Sequence, residues 1–121
     1  MISLHALIID DEPDICELLQ ITLSRMQVSS DIALTVKEAK ALLVSRDYQL
    51  CLTDMKLPDG NGIDLVRWIN QQEFNIPVAV ITAHGNTDSA VEAMKAGAFD
   101  FISKPVELSN LRKLVASALQ T

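Results

Sequence analysis

Cysteine is scarce in this sequence of 121 residues, which contains Cys16 and Cys51 alone. The two lie far apart and lack the Cys-x-x-Cys spacing of redox and zinc motifs. Each stands within an apolar segment, where an unpaired cysteine usually behaves as a small buried hydrophobic residue. The sequence therefore predicts two reduced, buried cysteines and argues against a disulfide framework or a cysteine metal site.

Long apolar runs are also missing. The first seven residues contain no basic region followed by a long apolar stretch, which a secretory signal peptide would require. No apolar run approaches the roughly 18 residues needed to span a bilayer. We therefore expect a cytoplasmic protein that does not associate with a membrane.

Basic residues are fewer than acidic ones. The 10 Lys and Arg against 16 Asp and Glu give a net charge of −6. Nucleic-acid surfaces are normally met by clustered Lys and Arg, so an acidic chain is poorly suited to them. We expect no direct binding of nucleic acid by this chain.

The hydrophobic content of 49% suffices for one compact core, and we expect residues 1–121 to form one domain. Short apolar runs alternate with helix-length amphipathic stretches, a pattern typical of a doubly wound α/β sheet. Five parallel strands are predicted, at residues 5–9, 28–33, 48–53, 77–81 and 99–103. The second is more polar than the others and is predicted to lie at an edge.

Five helices are predicted after these strands. Pro13 suits the first turn of the first helix, and residues 35–38 match a capping box at the start of the second. A loop at residues 55–62 precedes a third helix over residues 63–72. The fourth helix is predicted to begin near Asn86 or Thr87 and to end at Gly97, and the fifth follows Pro105.

Polar side chains stand where four predicted strands end. They are Asp10 and Asp11 after the first strand, Asp54 at the third, Thr82 at the fourth and Lys104 after the fifth. Ligands of open α/β sheets collect outside the carboxyl ends of the strands, and the strand order 2-1-3-4-5 would make these four ends neighbours. The sequence therefore predicts one shared site.

Converging carboxylates repel one another unless a cation neutralises them. A few hard oxygen ligands suit Mg²⁺, which also coordinates phosphate. A carboxylate is a known phosphoryl acceptor that gives an aspartyl phosphate. A hydroxyl from Thr82 and the ammonium of Lys104 would stabilise the phosphoryl oxygens.

Four segments together resemble the signature of response-regulator receiver domains, with a flavodoxin-like (CheY-like) fold. They are Ile8-Ile9-Asp10-Asp11-Glu12, residues 52–60, Ile81-Thr82-Ala83 and Lys104-Pro105. Residues 96–101, with Thr82-Ala83-His84, are similar to receivers of the nitrogen regulatory protein C class.

The resemblance implies a role for each site residue. Asp54 would be the phosphoacceptor, and Asp11 and the Lys56 carbonyl would join it on Mg²⁺, with Asp10 acting mainly through water. Lys104 would pair with the phosphate. The peptide bond between Lys104 and Pro105 would be cis. Thr82 and Phe101 would form the switch, although Phe101 stands where the family often has Tyr and cannot donate a hydroxyl hydrogen bond.

The same resemblance implies partners. A sensor histidine kinase would donate the phosphoryl group in a two-component phosphorelay. An output domain C-terminal to Thr121, of the sigma-54-dependent transcription activator type, would receive the signal. We also expect a phosphorylation-dependent homodimer through the fourth helix, fifth strand and fifth helix. The chain would be a switch and not an enzyme, apart from its own phosphoryl transfer and autodephosphorylation.

Several alternatives stay open at this point. A flavodoxin-type nucleotide or flavin binder would need amide and hydroxyl donors after the first strand, where Asp10 and Asp11 stand instead. A haloacid-dehalogenase-like phosphatase would need a second Asp where Lys56 stands. A degenerate receiver acting as an interaction module would show no response to Mg²⁺. His84 either borders the site or caps a loop.

Overall fold

A sheet of five parallel strands forms the centre of the protein. The computed structural model describes residues 3–83 and 87–120. The sheet strands are β1 (Leu4–Ile9), β2 (Val28–Ala33), β3 (Leu50–Asp54), β6 (Val78–Thr82) and β7 (Asp100–Ser103). Their spatial order is β2-β1-β3-β6-β7. Because β6 and β7 are the fourth and fifth long strands, the predicted order and the edge position of β2 are confirmed.

Five helices in the described residues cover the two faces of this sheet. They are α1 (Pro13–Arg25), α2 (Val36–Ser45), α3 (Gly62–Gln71), α4 (Thr87–Ala96) and α5 (Leu108–Leu119). Leu7 and Ile9 pack with α2, α3 and α4 on one face, while Ala6 and Ile8 pack with α1 and α5 on the other. Successive strand residues point to opposite faces, so two covered faces explain why β1 lacks polar alternation.

The segment predicted as a loop at residues 55–62 is more ordered than expected. It contains a short antiparallel hairpin of β4 (Lys56–Leu57) and β5 (Gly60–Asn61). Asn61 then caps α3 by accepting a hydrogen bond from the Asp64 amide at 2.8 Å. The turn residues were recognised correctly, but two-residue strands leave no periodic pattern in a sequence.

Two helix ends follow the sequence signals closely. Thr35 accepts the Glu38 amide at 3.1 Å, which confirms the N-terminus predicted from the capping box. Gly97 ends α4 with φ of +108°, a conformation that side chains rarely adopt. A Cβ there would collide with the Asn70 side chain, whose Nδ2 donates to the Ala96 carbonyl at 2.8 Å.

The cysteine prediction is confirmed, since Cys16 and Cys51 are both free and buried. The Cys16 thiol donates a hydrogen bond to the Asp10 carbonyl at 3.2 Å. Among residues 3–83 and 87–120, no helix combines the length and the apolar character needed to cross a membrane.

Candidate functional site

The predicted site residues gather at the carboxyl ends of the sheet strands. Asp10 directly follows β1, Asp54 is the last residue of β3, Thr82 is the last of β6 and Lys104 directly follows β7. A cleft of about 340 Å³ opens there. Its lining consists of Glu12, Asp54, Met55, Lys56, Thr82, Ala83, Ser89 and Lys104. Parallel strand ends meeting at one edge therefore produce one site, as the sequence predicted.

The Lys104 ammonium lies among three carboxylates. Its Nζ is 2.8 Å from Glu12 Oε1, 3.5 Å from Asp54 Oδ2 and 3.8 Å from Asp10 Oδ2. Partial burial opposes its charge, but the hydrogen bond to Glu12 and the attraction of the two aspartates outweigh this and raise the pKa of Lys104. Lys104 therefore stays cationic and offers a fixed positive charge to an anion in the cleft.

Asp10 is fully buried beside this lysine. Its Oδ1 accepts the Glu12 amide at 2.9 Å, whereas Oδ2 has no hydrogen-bond partner within the described part of the chain. Desolvation, aided by repulsion from Asp54, raises the pKa of Asp10 to about 6. A buried carboxylate oxygen with no donor is poorly satisfied and would be stabilised by a cation.

Asp54 lies at the bottom of the cleft with 9% of its side chain exposed. Burial raises its pKa, against the opposing effects of Lys104 and of the Met55 amide, which donates to Oδ1 at 2.8 Å. That bond leaves Oδ2 facing Lys104. The arrangement orients one oxygen of the carboxylate toward the cleft.

Gly62 allows the end of the β4–β5 hairpin to pack against the backbone of Asp54. A Cβ at position 62 would collide with the Asp54 carbonyl oxygen, so the residue must be glycine for the backbones to approach. The Gly62 amide donates to the Met55 carbonyl at 2.8 Å. The hairpin is thereby closed directly behind Asp54.

Three carboxylates of the site could hold a metal ion. Asp10, Glu12 and Asp54 each offer an oxygen, and these oxygens lie within 4.8 Å of one another. The oxygen donors and the unpartnered Asp10 Oδ2 fit a hard cation such as Mg²⁺.

Glu12 is the member of this cluster to which the sequence motifs gave no role. Asp11, which was predicted to bind the metal, is exposed and lies outside the cluster found among the described residues. Glu12 is the N-cap residue of α1, and its side chain turns back over the strand end to reach Lys104. Its position directly after the aspartate pair was the available signal.

The two predicted switch residues differ in exposure. Thr82 is 1% exposed, and within residues 3–83 and 87–120 its Oγ1 has no hydrogen-bond partner. Phe101 is 39% exposed, lies on the edge strand β7 and does not line the cleft.

The predicted cis Lys104-Pro105 peptide is confirmed. His84, for which the sequence left open a place at the site rim or a role as a loop cap, lies outside the described residues.

Comparisons with known proteins agree with this geometry. Residues 6–116 match the family described as response regulator receiver domain. The response regulator protein PilR of Pseudomonas aeruginosa is 59% identical over 115 residues, which cover 95% of this chain and 26% of PilR. The regulatory protein LuxO of Vibrio cholerae is 33% identical over 112 residues, covering 93% of this chain and 25% of LuxO.

A solved structure extends the likeness to the fold. The beryllofluoride-activated NtrC4 receiver domain dimer aligns with a TM-score of 0.90 at 30% identity, covering 95% of each chain. The chain spans about a quarter of the length of the curated relatives named above. The resemblance drawn from the motifs is confirmed, and with it the relationship to regulators of the nitrogen regulatory protein C class. The chain belongs to the response regulator receiver domain family.

Proposed function

We propose that this receiver domain, a signalling switch, accepts a phosphoryl group on Asp54 from a phosphohistidine of a sensor histidine kinase. The observation that carries the proposal is the position of Asp54 Oδ2, which lies 3.5 Å from Lys104 Nζ in the cleft at the strand ends. In the transfer, this oxygen bonds to phosphorus while the phosphorus–nitrogen bond breaks and the imidazole leaves.

Asp10, Asp11, Asp54 and the Lys56 carbonyl are proposed to hold Mg²⁺. Support comes from the carboxylate cluster and from the unpartnered Asp10 Oδ2 among the described residues. When bound, the metal would neutralise the carboxylates and draw charge from the phosphoryl oxygens. Asp11 is exposed and lies between Asp10 and Glu12 in the chain, so a change of its side-chain rotamer is proposed to bring its carboxylate into the ligand set.

Lys104 and Thr82 are proposed to bind the phosphoryl oxygens. Lys104 would supply a charge-assisted hydrogen bond, and the unpaired Thr82 hydroxyl would donate a second one. Satisfying that buried hydroxyl stabilises the phosphorylated state only, so it biases the switch. Phe101 is proposed to follow Thr82 inward, and His84 to border the site.

The chain is proposed to perform its own phosphoryl transfer and autodephosphorylation and no turnover of other substrates. A haloacid-dehalogenase-like phosphatase would need a second Asp two residues after Asp54, but that position is occupied by the exposed Lys56. The degenerate-receiver alternative conflicts with the presence of every acidic and basic group that phosphorylation needs.

The domain, residues 1–121, is proposed to control an output domain beyond Thr121 in a longer cytoplasmic chain. Its relatives PilR and LuxO are about four times as long as the matched region, and by resemblance the output would be a sigma-54-dependent transcription activator. A phosphorylation-dependent homodimer is proposed on the α4, β7 and α5 face, because the related NtrC4 receiver is described as a dimer when beryllofluoride-activated. The net charge of −6 would repel DNA, so any DNA binding is proposed to belong to another domain of the longer chain.

The test is intact-mass spectrometry after treatment with acetyl phosphate and Mg²⁺. Wild type should gain one base-labile phosphoryl group, and Asp54→Ala should gain none. Asp47→Ala, an exposed aspartate near the opposite end of β3, is the matched control and should behave as wild type. Phosphorylation persisting in Asp54→Ala would overturn the assignment.

A further inference from the structure

The β4–β5 hairpin is tied to the start of α2 by one exposed side chain. Asp59 Oδ1 accepts the Val36 amide at 2.7 Å, and Oδ2 accepts the Lys37 amide at 3.1 Å. Thr35 accepts the next free amide, that of Glu38. The three amides of the first turn, which have no partner inside a helix, are therefore all satisfied, two of them from a segment more than 20 residues away.

The hairpin and the helix also pack closely. A Cβ on Gly60 would lie 3.0 Å from Val36 Cγ2, so the backbone of the hairpin tip rests directly on α2. Leu57 is buried in the core cluster that contains α2. The hydrogen bond from the Val36 amide lowers the pKa of Asp59, so its carboxylate is ionised at neutral pH and complements the positive end of the helix dipole.

The other end of the same hairpin forms part of the site. Lys56 begins β4, pairs with Asn61 and lines the cleft two residues after Asp54. A backbone carbonyl has no rotamers of its own, so its position is set by whatever holds the surrounding backbone. The Gly62–Met55 hydrogen bond fixes the base of the hairpin, and Asp59 fixes its tip.

We propose that Asp59 is a positioning residue of the metal site: by holding both first-turn amides of α2, its carboxylate places the β4–β5 hairpin so that the Lys56 carbonyl faces the cation. The inference rests on the Mg²⁺ site proposed above. Asp59 itself does not touch the metal. It acts as outer partners of metal ligands do, by restricting a ligand to its bound geometry.

Reciprocity follows from this coupling. If the α2 contact favours Mg²⁺ binding, Mg²⁺ must strengthen the α2 contact by the same factor. Mg²⁺ should therefore slow hydrogen exchange at the Val36 and Lys37 amides. The Glu38 amide, held by Thr35, serves as an internal reference within the same turn.

The experiment measures Mg²⁺ affinity by calorimetry and amide exchange by NMR in wild type, Asp59→Asn, Asp59→Ala and Asp47→Asn. Asp59→Ala should weaken Mg²⁺ binding about three- to ten-fold. Loss of a residue that orients a metal ligand typically lowers metal affinity by about 10- to 100-fold, and Asp59 acts at a greater distance. Asp59→Asn, which keeps one acceptor oxygen, should lose less. Asp47→Asn removes an exposed acidic charge that lies outside the hairpin, outside α2 and outside the cleft, and it should leave the affinity unchanged.

The outcomes separate the two proposals. Wild type without measurable Mg²⁺ binding would overturn the metal site and the role of Asp59 together. Wild type that binds Mg²⁺ with Asp59→Ala binding equally well would overturn the role of Asp59 alone, even if the Val36 and Lys37 amides exchange faster. That last pattern would identify Asp59 as a helix cap only.

Discussion

Lys104 Nζ lies 2.8 Å from Glu12 Oε1 but 3.5 Å from Asp54 Oδ2. The lysine proposed to hold the phosphoryl group is therefore bonded most closely to a different carboxylate. Glu12 is more than half exposed, so the pair is screened and contributes little to stability. Its importance lies in where it holds the ammonium.

Replacement of Glu12 by Gln should accelerate phosphorylation. The ammonium would no longer be held by Glu12 and would move toward the Asp54 side of the cleft. Exposed ion pairs are worth up to about 1 kcal/mol, so the rate with acetyl phosphate at saturating Mg²⁺ should rise about two- to five-fold. Rates are measured by intact-mass spectrometry over time.

Glu17→Gln is the control for this change, because it removes an exposed acidic residue from α1 that does not line the cleft. Its rate should equal that of wild type. A slower reaction in Glu12→Gln at saturating Mg²⁺ would show that Glu12 assists the transfer and does not restrain Lys104.

Mg²⁺ should stabilise the folded protein. It relieves repulsion among buried carboxylates that the unfolded chain does not bring together. At ten times its Kd, the free energy of unfolding should rise by about 1.4 kcal/mol. Urea unfolding with Mg²⁺ and with EDTA measures the effect, and NaCl at equal ionic strength is the control. Equal midpoints in Mg²⁺ and EDTA would contradict metal binding.

The raised pKa of Asp10 should make the metal-free protein less stable as pH rises. Its folded pKa of about 6 exceeds the ordinary value of 3.8, so its favourable contribution is complete below pH 4 and is lost as pH rises through 6. A shift of this size corresponds to about 2 to 3 kcal/mol.

Asp10→Asn cannot titrate and provides the reference. In EDTA, the free energy of unfolding of wild type relative to Asp10→Asn should fall between pH 4.5 and 7.5, by roughly the amount that the shift implies. A constant difference across that range would contradict the burial-induced shift.

Thr82→Val should stabilise the unphosphorylated protein while weakening its response to phosphate. Valine keeps the β-branched shape and removes a buried hydroxyl that lacks a partner among the described residues, which should add about 1 kcal/mol to the free energy of unfolding. Beryllofluoride should then shift the Phe101 amide less than in wild type. An undiminished NMR shift would show that the signal does not pass through Thr82.

Much of the fold was predictable because strands buried on both faces of a sheet are short apolar runs. Their length and the turn residues on either side show where each strand begins and ends. The capping of α2 by Thr35 and the end of α4 at Gly97 followed from such local signals. The strand order followed instead from the requirement that the four polar strand ends be neighbours. The convergence of Asp10, Asp54 and Lys104 followed from parallel strand ends.

Side-chain direction was not predictable in the same way. Nothing in the spacing indicates that Glu12 turns back over the strand end while Asp11 points outward. The contact of Asp59 with α2 joins segments 22 and 23 residues apart, and no local pattern encodes it. The outward position of Phe101 on β7 likewise depends on packing that the sequence does not reveal.

The contact of Asn70 with Ala96 and Gly97 anchors one end of α4. The Asn70 hydrogen bond holds the C-terminal end of the helix against α3, and the lack of a Cβ at position 97 leaves room for the Asn70 side chain. The opposite end borders the cleft through Ser89. A displacement of α4 that began beside Thr82 would therefore move the Ser89 end of the helix further than the Ala96 end, and we expect a partner that distinguishes the two states of the switch to contact the helix near Ser89.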